Sequence, residues 1–109
     1  MKIIDLSHWY EEDMPLFPGT PAIQIQQVSQ IEEDGFRVTD FHSTVHVGTH
    51  CDAPAHFVKG AKTMGEIPLE EFVGYAVVLD VSRVFFSAAP LSIHGSDGGF
   101  TRAYAILEK

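Results

Sequence analysis

With 109 residues and 45% apolar content, the chain has the size of one domain with a modest core. Its 15 acidic and 7 basic residues give a formal net charge of −8, which disfavours nucleic acid and anionic membranes as partners. The single cysteine excludes an internal disulfide, and residues 1–5 reach an acidic side chain before any signal-peptide core develops. No apolar stretch approaches membrane-spanning length, so we expect a cytoplasmic protein.

The first segment contains a short strand and a long loop. Residues 2–6 predict a strand, whereas residues 9–21 contain three prolines and are typical of an irregular loop. The loop carries aromatic side chains, among them Trp9 and Phe17. Such side chains either line a pocket for a planar substrate or pack the loop against the domain, and both interpretations stay open. Trp9 and Phe17 are therefore candidate substrate-binding residues.

Two amphipathic strands are predicted after the loop. Apolar and polar residues alternate over 22–28 and again over 36–41, as in half-buried strands, and Asp34-Gly35 between them predicts a turn. We expect these strands to pair antiparallel. Continued through residues 43–45, the second strand would deliver the chain to His46 at the end of a sheet.

The candidate site follows this second strand. Three of the six histidines lie between residues 46 and 57, together with Asp52. Imidazole and carboxylate ligands suit zinc or manganese, and three protein ligands with an open position are typical of a catalytic site. Gly48, its β-branched neighbours and Pro54 all disfavour a helix over this segment.

An extended strand gives the candidate metal ligands the correct parity. In a strand, His46, His50 and Asp52 point to one face. A straight strand nevertheless separates the two histidines by roughly 13 Å, at about 3.3 Å per residue, which is too far for one ion with bonds of about 2 Å. We therefore predict that the strand bends at Gly48, the residue with the greatest backbone freedom.

The neighbours of these ligands have separate expected roles. Pro54 ends the strand and lets His56 return over the site without entering the metal's ligand set. Thr49 and Cys51 lie on the opposite face of the strand. We expect Thr49 to stabilise the bend by hydrogen bonding, and Cys51 to be buried and uninvolved in nucleophilic chemistry.

Further elements are predicted after the candidate site. Residues 69–73 have the length of one helical turn. Residues 75–81 form the most continuous apolar run in the chain and predict a strand in the centre of a sheet. In the tail, residues 83–109, the glycine-rich stretch 95–99 is typical of a loop, and residues 103–107 fit a strand or a helix.

The sequence H-V-G-T-H-C-D-A-P-A-H-F at residues 46–57 resembles the signature H-x-G-T-H-x-D-x-P-x-H-F of the metal-dependent cyclase family, which includes the bacterial kynurenine formamidases. Segments within residues 5–21 and at residues 67–74 are also similar to that family. The resemblance is strongest over residues 4–81 and fades in the divergent tail, residues 83–109.

The resemblance implies the family's fold, an α/β swivelling β/β/α domain that is strand-rich. It makes residues 1–109 a single, partial domain that is incomplete at its C-terminus, because family members continue into a longer C-terminal half. The residues alone support a strand-rich α/β or α+β domain. In the family, that half supplies a histidine and a glutamate to a second metal where one is present. His94 and Glu108 occur in a loosely similar order, but their surroundings do not match and no role is assigned to them.

The resemblance also implies a function, the metal-dependent hydrolysis of an amide, with N-formylkynurenine cleaved to kynurenine and formate in tryptophan catabolism. His46, His50 and Asp52 would hold a divalent metal, zinc first and manganese second, and His56 would be the catalytic proton-transfer residue. The expected partners are a small-molecule substrate and further copies of the chain, in a homodimer or a larger homo-oligomer. The alternative is a truncated, catalytically inactive member that acts as a metal-binding or oligomerisation module.

Overall fold

The computed structural model describes residues 1–77 and 83–107, which form a strand-rich structure with few helices, compatible with the predicted α/β class. The described strands are β1 (Lys2–Asp5), β2 (Gln24–Ser29), β3 (Val38–His42), β4 (His50–Asp52), β5 (Val73–Val77), β6 (Arg83–Ser87), β7 (Gly98–Phe100) and β8 (Tyr104–Leu107). The helical segments are short: α1 (Ile31–Asp34) and 3₁₀ turns at Pro54–His56, Met64–Glu66 and Leu69–Phe72.

The largest described sheet has the order β1-β8-β6-β5, with every pair antiparallel. Ala105 of β8 lies opposite Ile4 on one side and Phe86 on the other, so β8 pairs along both edges. The strand predicted at the N-terminus is confirmed as β1. Residues 103–107, for which helix and strand were both open, contain a strand because its backbone groups find partners on both neighbouring strands.

The strand predicted over residues 75–81 is not central in its sheet. Within the described residues, β5 pairs only with β6 and lies at the edge of the sheet. Its Tyr75 and Val77 side chains are 62% and 77% exposed. A continuous apolar run indicates a preference for burial, but the described structure places no further strand or layer over these two side chains. Residues 78–81 of the prediction lie outside the described residues.

Strands β2 and β3 form the predicted antiparallel pair, with Ile25 opposite Phe41 and a register shift between Gln27 and Ser29. The short helix α1 precedes the predicted turn at Gly35, whose φ of 78° ends that helix in the left-handed conformation. The prediction that both strands are half-buried is wrong, because every residue of β3 is exposed.

The predicted continuation of the second strand is also wrong. Strand β3 ends at His42, and residues 45–49 form bends rather than a strand. The chain therefore reaches His46 along an irregular segment. Strand structure resumes only at His50, where β4 begins.

Strands β4 and β7 form a separate antiparallel ribbon, in which His50 lies opposite Phe100 and Asp52 opposite Gly98. This corrects the prediction of a loop over residues 95–99, because the last part of that stretch is strand. Gly98 and Gly99 are buried. A Cβ atom on Gly99 would lie 2.7 Å from the Leu91 carbonyl oxygen, so glycine allows close packing here rather than a flexible loop.

An aromatic cluster joins the β4–β7 ribbon to the β2–β3 hairpin and to the N-terminal loop. Tyr10, Phe41 and Phe100 meet pairwise in edge-to-face geometry, with ring centroids 5.4 to 5.8 Å apart. The apolar side chains buried among the described residues are few and lie in several elements: Ile23, Val47, Ala53, Met64, Val84, Ala103 and Ala105.

The core is thin for the length of the chain. The Cα radius of gyration is 16.9 Å, against about 13 Å for a compact domain of 100 residues. Large apolar side chains such as Trp9, Phe36 and Val77 remain exposed. None of the helices in the described part of the chain has the length and apolar content needed to cross a bilayer.

Candidate metal centre

The site begins with a sharp bend at Gly48, as the sequence predicted. Its φ of +62° lies in the left-handed region, which side chains disfavour. A Cβ atom at this position would lie 2.8 Å from Cζ of Tyr10, so the Tyr10 ring packs directly on the glycine. The Tyr10 hydroxyl donates to the carbonyl oxygens of Val47 and Thr49, each at 2.9 Å. The Tyr10 ring and hydroxyl therefore both stabilise the bend at Gly48.

The bend brings the three predicted metal ligands together. His46 Nδ1 lies 2.9 Å from Asp52 Oδ1, and His50 Nε2 lies 3.3 Å from the same oxygen. One ligand atom from each of the three side chains falls within 4.8 Å of the others. His50 donates its Nδ1–H to the Gly48 carbonyl oxygen at 2.9 Å, which leaves its Nε2 lone pair facing Asp52.

His56 returns to the same place through the 3₁₀ turn that follows Asp52. Pro54 opens this turn, where its fixed φ and missing N–H are tolerated. The His56 ring then lies against His46, with centroids 3.8 Å apart and planes tilted by 31°. The structure therefore brings together the four residues that the sequence singled out, His46, His50, Asp52 and His56.

A fifth residue, Asp97, completes the cluster and was not predicted. Its Oδ2 lies 2.9 Å from His46 Nε2 and 3.2 Å from His56 Nδ1. His46, His56 and Asp97 also offer ligand atoms within 4.8 Å of one another, which makes them a second group able to hold a cation. Asp97 is 51 residues from His46 in a stretch that reads as a loop, so no local pattern in the sequence points to it.

The backbone around Asp97 is held by hydrogen bonds from residues 53 and 64. Ala53 N–H donates to the Asp97 carbonyl oxygen at 2.9 Å, and Met64 N–H donates to the Ser96 carbonyl oxygen at 2.8 Å. Next along the chain, Gly98 leaves room for the His46 ring. A Cβ atom on Gly98 would lie 2.8 Å from His46 Cε1 and 3.1 Å from the Cys51 carbonyl oxygen.

The carboxylates set the electrostatics of the two stacked rings. Burial lowers the pKa of His46, but hydrogen bonds to Asp97 and Asp52 outweigh it, so this pKa lies above its ordinary value. Hydrogen bonds from His46 and then from His56 hold the pKa of Asp97 below its ordinary value. The cluster therefore favours positive charge beside its carboxylates, whether that charge is a proton or a cation.

Thr49 has the hydrogen-bonding role that the sequence indicated, whereas Cys51 is only partly buried rather than buried as predicted. Thr49 Oγ1 accepts the His8 backbone N–H at 2.9 Å, which ties the bend to the N-terminal segment. Cys51 Sγ donates to the Ala88 carbonyl oxygen at 3.2 Å, and burial raises the pKa of this thiol. A thiol held in its protonated form and directed at a carbonyl is not a nucleophile.

The two candidate substrate-binding aromatics, Trp9 and Phe17, are both highly exposed, and they do not line the same cleft. Trp9 borders a cleft of about 440 Å³ that also contacts Tyr10, Phe100 and Arg102. None of the five clustered His and Asp residues lines this cleft. Phe17 is 80% exposed and does not line it either. Of the unassigned tail residues, His94 lies exposed in a loop, and Glu108 lies outside the described residues.

The donor set of the cluster fits a divalent cation. Two imidazoles and one carboxylate converge in the group His46, His50 and Asp52, and this mixture of ligands suits borderline ions. In metal-binding proteins, a hydrogen bond from the second ring nitrogen usually fixes a ligating histidine. His50 makes such a bond to the Gly48 carbonyl oxygen.

Comparison with known proteins identifies relatives of this chain by sequence. The model of the family described as "Putative cyclase" matches residues 4–100. The kynurenine formamidase of Salinibacter ruber is 32% identical over 100 residues, covering 90% of this chain and 47% of the relative. Kynurenine formamidase of Bordetella petrii is 35% identical over 74 residues, covering 67% and 35%. That of Bacillus anthracis is 31% identical over 84 residues, covering 76% and 40%. The chain thus spans less than half the length of these relatives.

Proposed function

This chain belongs to the cyclase family, and from that premise we propose that it is a metal-dependent amide hydrolase. Its proposed substrate is N-formylkynurenine, which water cleaves to kynurenine and formate in tryptophan catabolism. The family relatives named kynurenine formamidase support this substrate. The observation that carries the proposal is the convergence of His46, His50 and Asp52 at one point, with His56 beside them. The fold that we propose is the family's swivelling β/β/α domain.

His46, His50 and Asp52 are the proposed ligands of one divalent cation, zinc in preference to manganese. Two imidazole nitrogens favour zinc over ions that prefer oxygen ligands alone. When bound, the cation supplies Lewis-acid activation of water and of the amide carbonyl, neither of which is reactive at neutral pH. The Gly48 carbonyl oxygen supports the site by accepting the Nδ1–H of His50, which keeps the Nε2 lone pair directed at the cation.

His56 is the proposed general base and acid. Its Nδ1 lies beside Asp97, so Nε2 is free to accept a proton from the attacking water. As the carbon–nitrogen bond breaks, the same nitrogen returns that proton to the leaving amine. An imidazole suits both halves of this cycle because the same nitrogen can accept a proton and then donate it. For the aromatic part of the substrate, we propose stacking on the exposed side chains of Trp9 and Phe17.

A second candidate function is a catalytically inactive module that binds metal or assembles with further copies of itself. The thin core and the exposed apolar side chains support assembly, because contiguous exposed apolar surface marks interaction sites. We propose a homodimer or a larger homo-oligomer under either function.

Formate release from N-formylkynurenine by zinc-loaded protein tests the hydrolase proposal. Replacing His56→Ala should lower the rate by about 10² to 10⁴, the usual contribution of a positioned acid–base group. The matched control is His94→Ala, which removes an exposed histidine outside the cluster and should retain activity.

Two outcomes of this assay separate the candidate functions. If wild type that holds its cation stoichiometrically releases formate no faster than background, as His56→Ala is expected to, the hydrolase proposal fails and the inactive module is supported. Equal activity in the wild type and His56→Ala, with both well above background, removes His56 from the mechanism.

A further inference from the structure

Asp97 makes two contacts through one oxygen. Oδ2 lies 2.9 Å from His46 Nε2 and 3.2 Å from His56 Nδ1, while the two imidazoles stack at 3.8 Å. The carboxylate comes from the segment before β7, 51 residues from His46 and 41 from His56. Its backbone position is fixed by the hydrogen bond from Ala53 N–H to the Asp97 carbonyl oxygen. Asp97 is therefore placed by the fold rather than by a flexible loop.

An ionised carboxylate only accepts hydrogen bonds, so its neighbours must donate. A neutral imidazole has one N–H and one lone pair, and which nitrogen holds the proton is set by the partner of that N–H. With His46 Nε2–H and His56 Nδ1–H both directed at Asp97, the lone pairs fall on the opposite nitrogens of each ring. These are His46 Nδ1 and His56 Nε2.

The freed lone pairs are the ones that the proposed function needs. His46 Nδ1 faces Asp52 Oδ1 at 2.9 Å, within the ligand group that also contains His50. Two electron-pair donors so close together repel each other unless a proton or a cation lies between them. His56 Nε2 is the nitrogen that must accept a proton from water.

We propose that Asp97 is a positioning residue that sets the tautomers of His46 and His56 together, preparing one ring to ligate a cation and the other to transfer a proton. The part that concerns His56 rests on the proposed hydrolase function. The part that concerns His46 rests only on the cation site. Partners of this kind, one step removed from the metal, usually change affinity or activity by about 10 to 100-fold when they are replaced.

A different use of Asp97 is direct ligation of a cation together with His46 and His56. If His46 served both groups at once, it would have to give up its remaining N–H, since one nitrogen would be needed on each side. His56 would also lose its role in proton transfer. Direct ligation is the competing outcome that the experiment has to separate.

Zinc titration of the full chain distinguishes positioning from ligation. Asp97→Asn keeps the shape of the side chain and removes its charge, and we expect zinc to bind about 10 to 100-fold more weakly with one ion per chain retained. His50→Ala should abolish this binding, whereas His56→Ala should leave the affinity within a few-fold of wild type. Loss of affinity in His56→Ala as large as in His50→Ala would overturn the positioning role, because it makes His56 and Asp97 ligands.

Nitrogen-15 NMR of the histidine rings gives a second readout that needs no activity. At a pH above the raised pKa of His46, metal-free wild type should show His56 protonated at Nδ1, and zinc-loaded wild type should also show His46 protonated at Nε2. In metal-free Asp97→Asn the His56 ring should shift towards a mixture of tautomers, and Asp97→Glu should restore part of the wild-type pattern. Ring spectra that are identical in wild type and Asp97→Asn contradict the proposal.

Asp40→Asn is the matched control for these measurements. Asp40 is an exposed carboxylate on β3, so this change alters net charge equally without touching the cluster. It should leave both the zinc affinity and the ring spectra unchanged. Failure of the tautomer shift and failure of formate release are separate results. A fixed tautomer pattern in protein without hydrolase activity keeps the role of Asp97 and removes only the proposed function.

Discussion

The β4–β7 ribbon and the β2–β3 hairpin are both two-stranded, yet they are stabilised in different ways. The ribbon pairs residues that are distant in the chain, and its Gly98 and Gly99 leave no room for a side chain. The hairpin pairs neighbouring segments, and every residue of β3 is exposed. Isolated two-stranded hairpins are marginally stable in water, so the hairpin depends on its contacts with other elements.

The difference explains why the candidate site lies on the ribbon. Side chains in a catalytic or metal site need their rotamers locked by packing and by neighbouring hydrogen bonds. The ribbon provides both, since Gly98 packs on the His46 ring and Asp97 accepts from two histidines. The hairpin offers exposed apolar residues instead, which suit association. This comparison predicts large effects of small changes in the ribbon and in the bend at Gly48 that leads into it, and small effects on stability in the hairpin.

The largest effect is expected from Gly48→Ala. Alanine must adopt a left-handed φ, which costs about 1–2 kcal/mol, and its Cβ also meets the Tyr10 ring at 2.8 Å. Overpacking of this kind adds about 1–3 kcal/mol, so the free energy of unfolding should fall by about 2–5 kcal/mol. Zinc affinity should fall as well, because the bend places His46 and His50. Urea unfolding and zinc titration measure the two effects.

Gly60→Ala is the matched control. Gly60 has a φ of +77°, but no atom lies within 4 Å of a Cβ built there. This variant should lose only the backbone contribution and keep its zinc affinity. Equal losses of stability in both variants would mean that the contact with Tyr10 contributes nothing and that the bend at Gly48 is no more tightly packed than the open loop at Gly60.

The same contrast shows which features the sequence could reveal. His46, His50 and Asp52 lie within seven residues, so their short separation and one flexible glycine between them were enough to predict their convergence. The strand assumed for His46 is nevertheless absent, because residues 45–49 form bends. Asp97 required knowledge of which distant strand pairs with β4, and pairing of that kind leaves no local pattern. The glycine pair at 98 and 99 was misleading, because glycine marks close approach of backbones as often as it marks loops.

The errors in the larger elements have a related cause. The alternation of apolar and polar residues over 36–41 correctly predicted a strand. Its burial depends on which other elements cover it, and a short stretch of sequence does not show that. The apolar run over residues 75–81 likewise predicted a strand, of which β5 is the described part, and its position at the sheet edge depends on the order β1-β8-β6-β5. Local sequence patterns thus predicted which segments form strands. Which strands are buried and which lie at a sheet edge required the tertiary structure.

A smaller effect on stability is expected when the hairpin surface is made polar. Val28→Thr combined with Val38→Thr changes two exposed side chains on paired strands. The free energy of unfolding of the monomer should change by no more than about 0.5 kcal/mol per site, as is usual for surface substitutions. If the hairpin joins copies of the chain, the mass in solution should fall towards the 12.1 kDa of one chain.

Mass measurement by light scattering checks this expectation, with Phe17→Ser as a control for loss of an exposed apolar side chain outside the hairpin. A wild type that is already monomeric rules out the homo-oligomer. An unchanged oligomer in the double variant places the interface elsewhere.

The smallest effect should come from Asp5→Asn. This variant tests whether a contact between distant parts of the chain stabilises the fold when the contact is exposed. Arg102 donates from Nε to Asp5 Oδ2 at 2.9 Å and also from Nη2, across 97 residues. The contact is even longer in range than that between His46 and Asp97, but it is solvent-exposed. Hydrogen bonding to Arg102, followed by that from the Ser7 backbone, lowers the pKa of Asp5 from 3.8 to about 2. Exposed pairs usually contribute little, because water screens them.

The sign of the pH dependence follows from this lowered pKa. A carboxyl group with a lower pKa in the folded state stabilises the fold above pH 3.8 and loses that contribution as the pH falls towards about 2. Wild type should therefore exceed Asp5→Asn in free energy of unfolding by a small, constant margin near neutral pH. The margin should close over that acidic range and shrink in high salt, as urea unfolding at a series of pH values would show. A loss comparable to that of Gly48→Ala would mean that an exposed contact between distant segments stabilises the fold as much as close packing does.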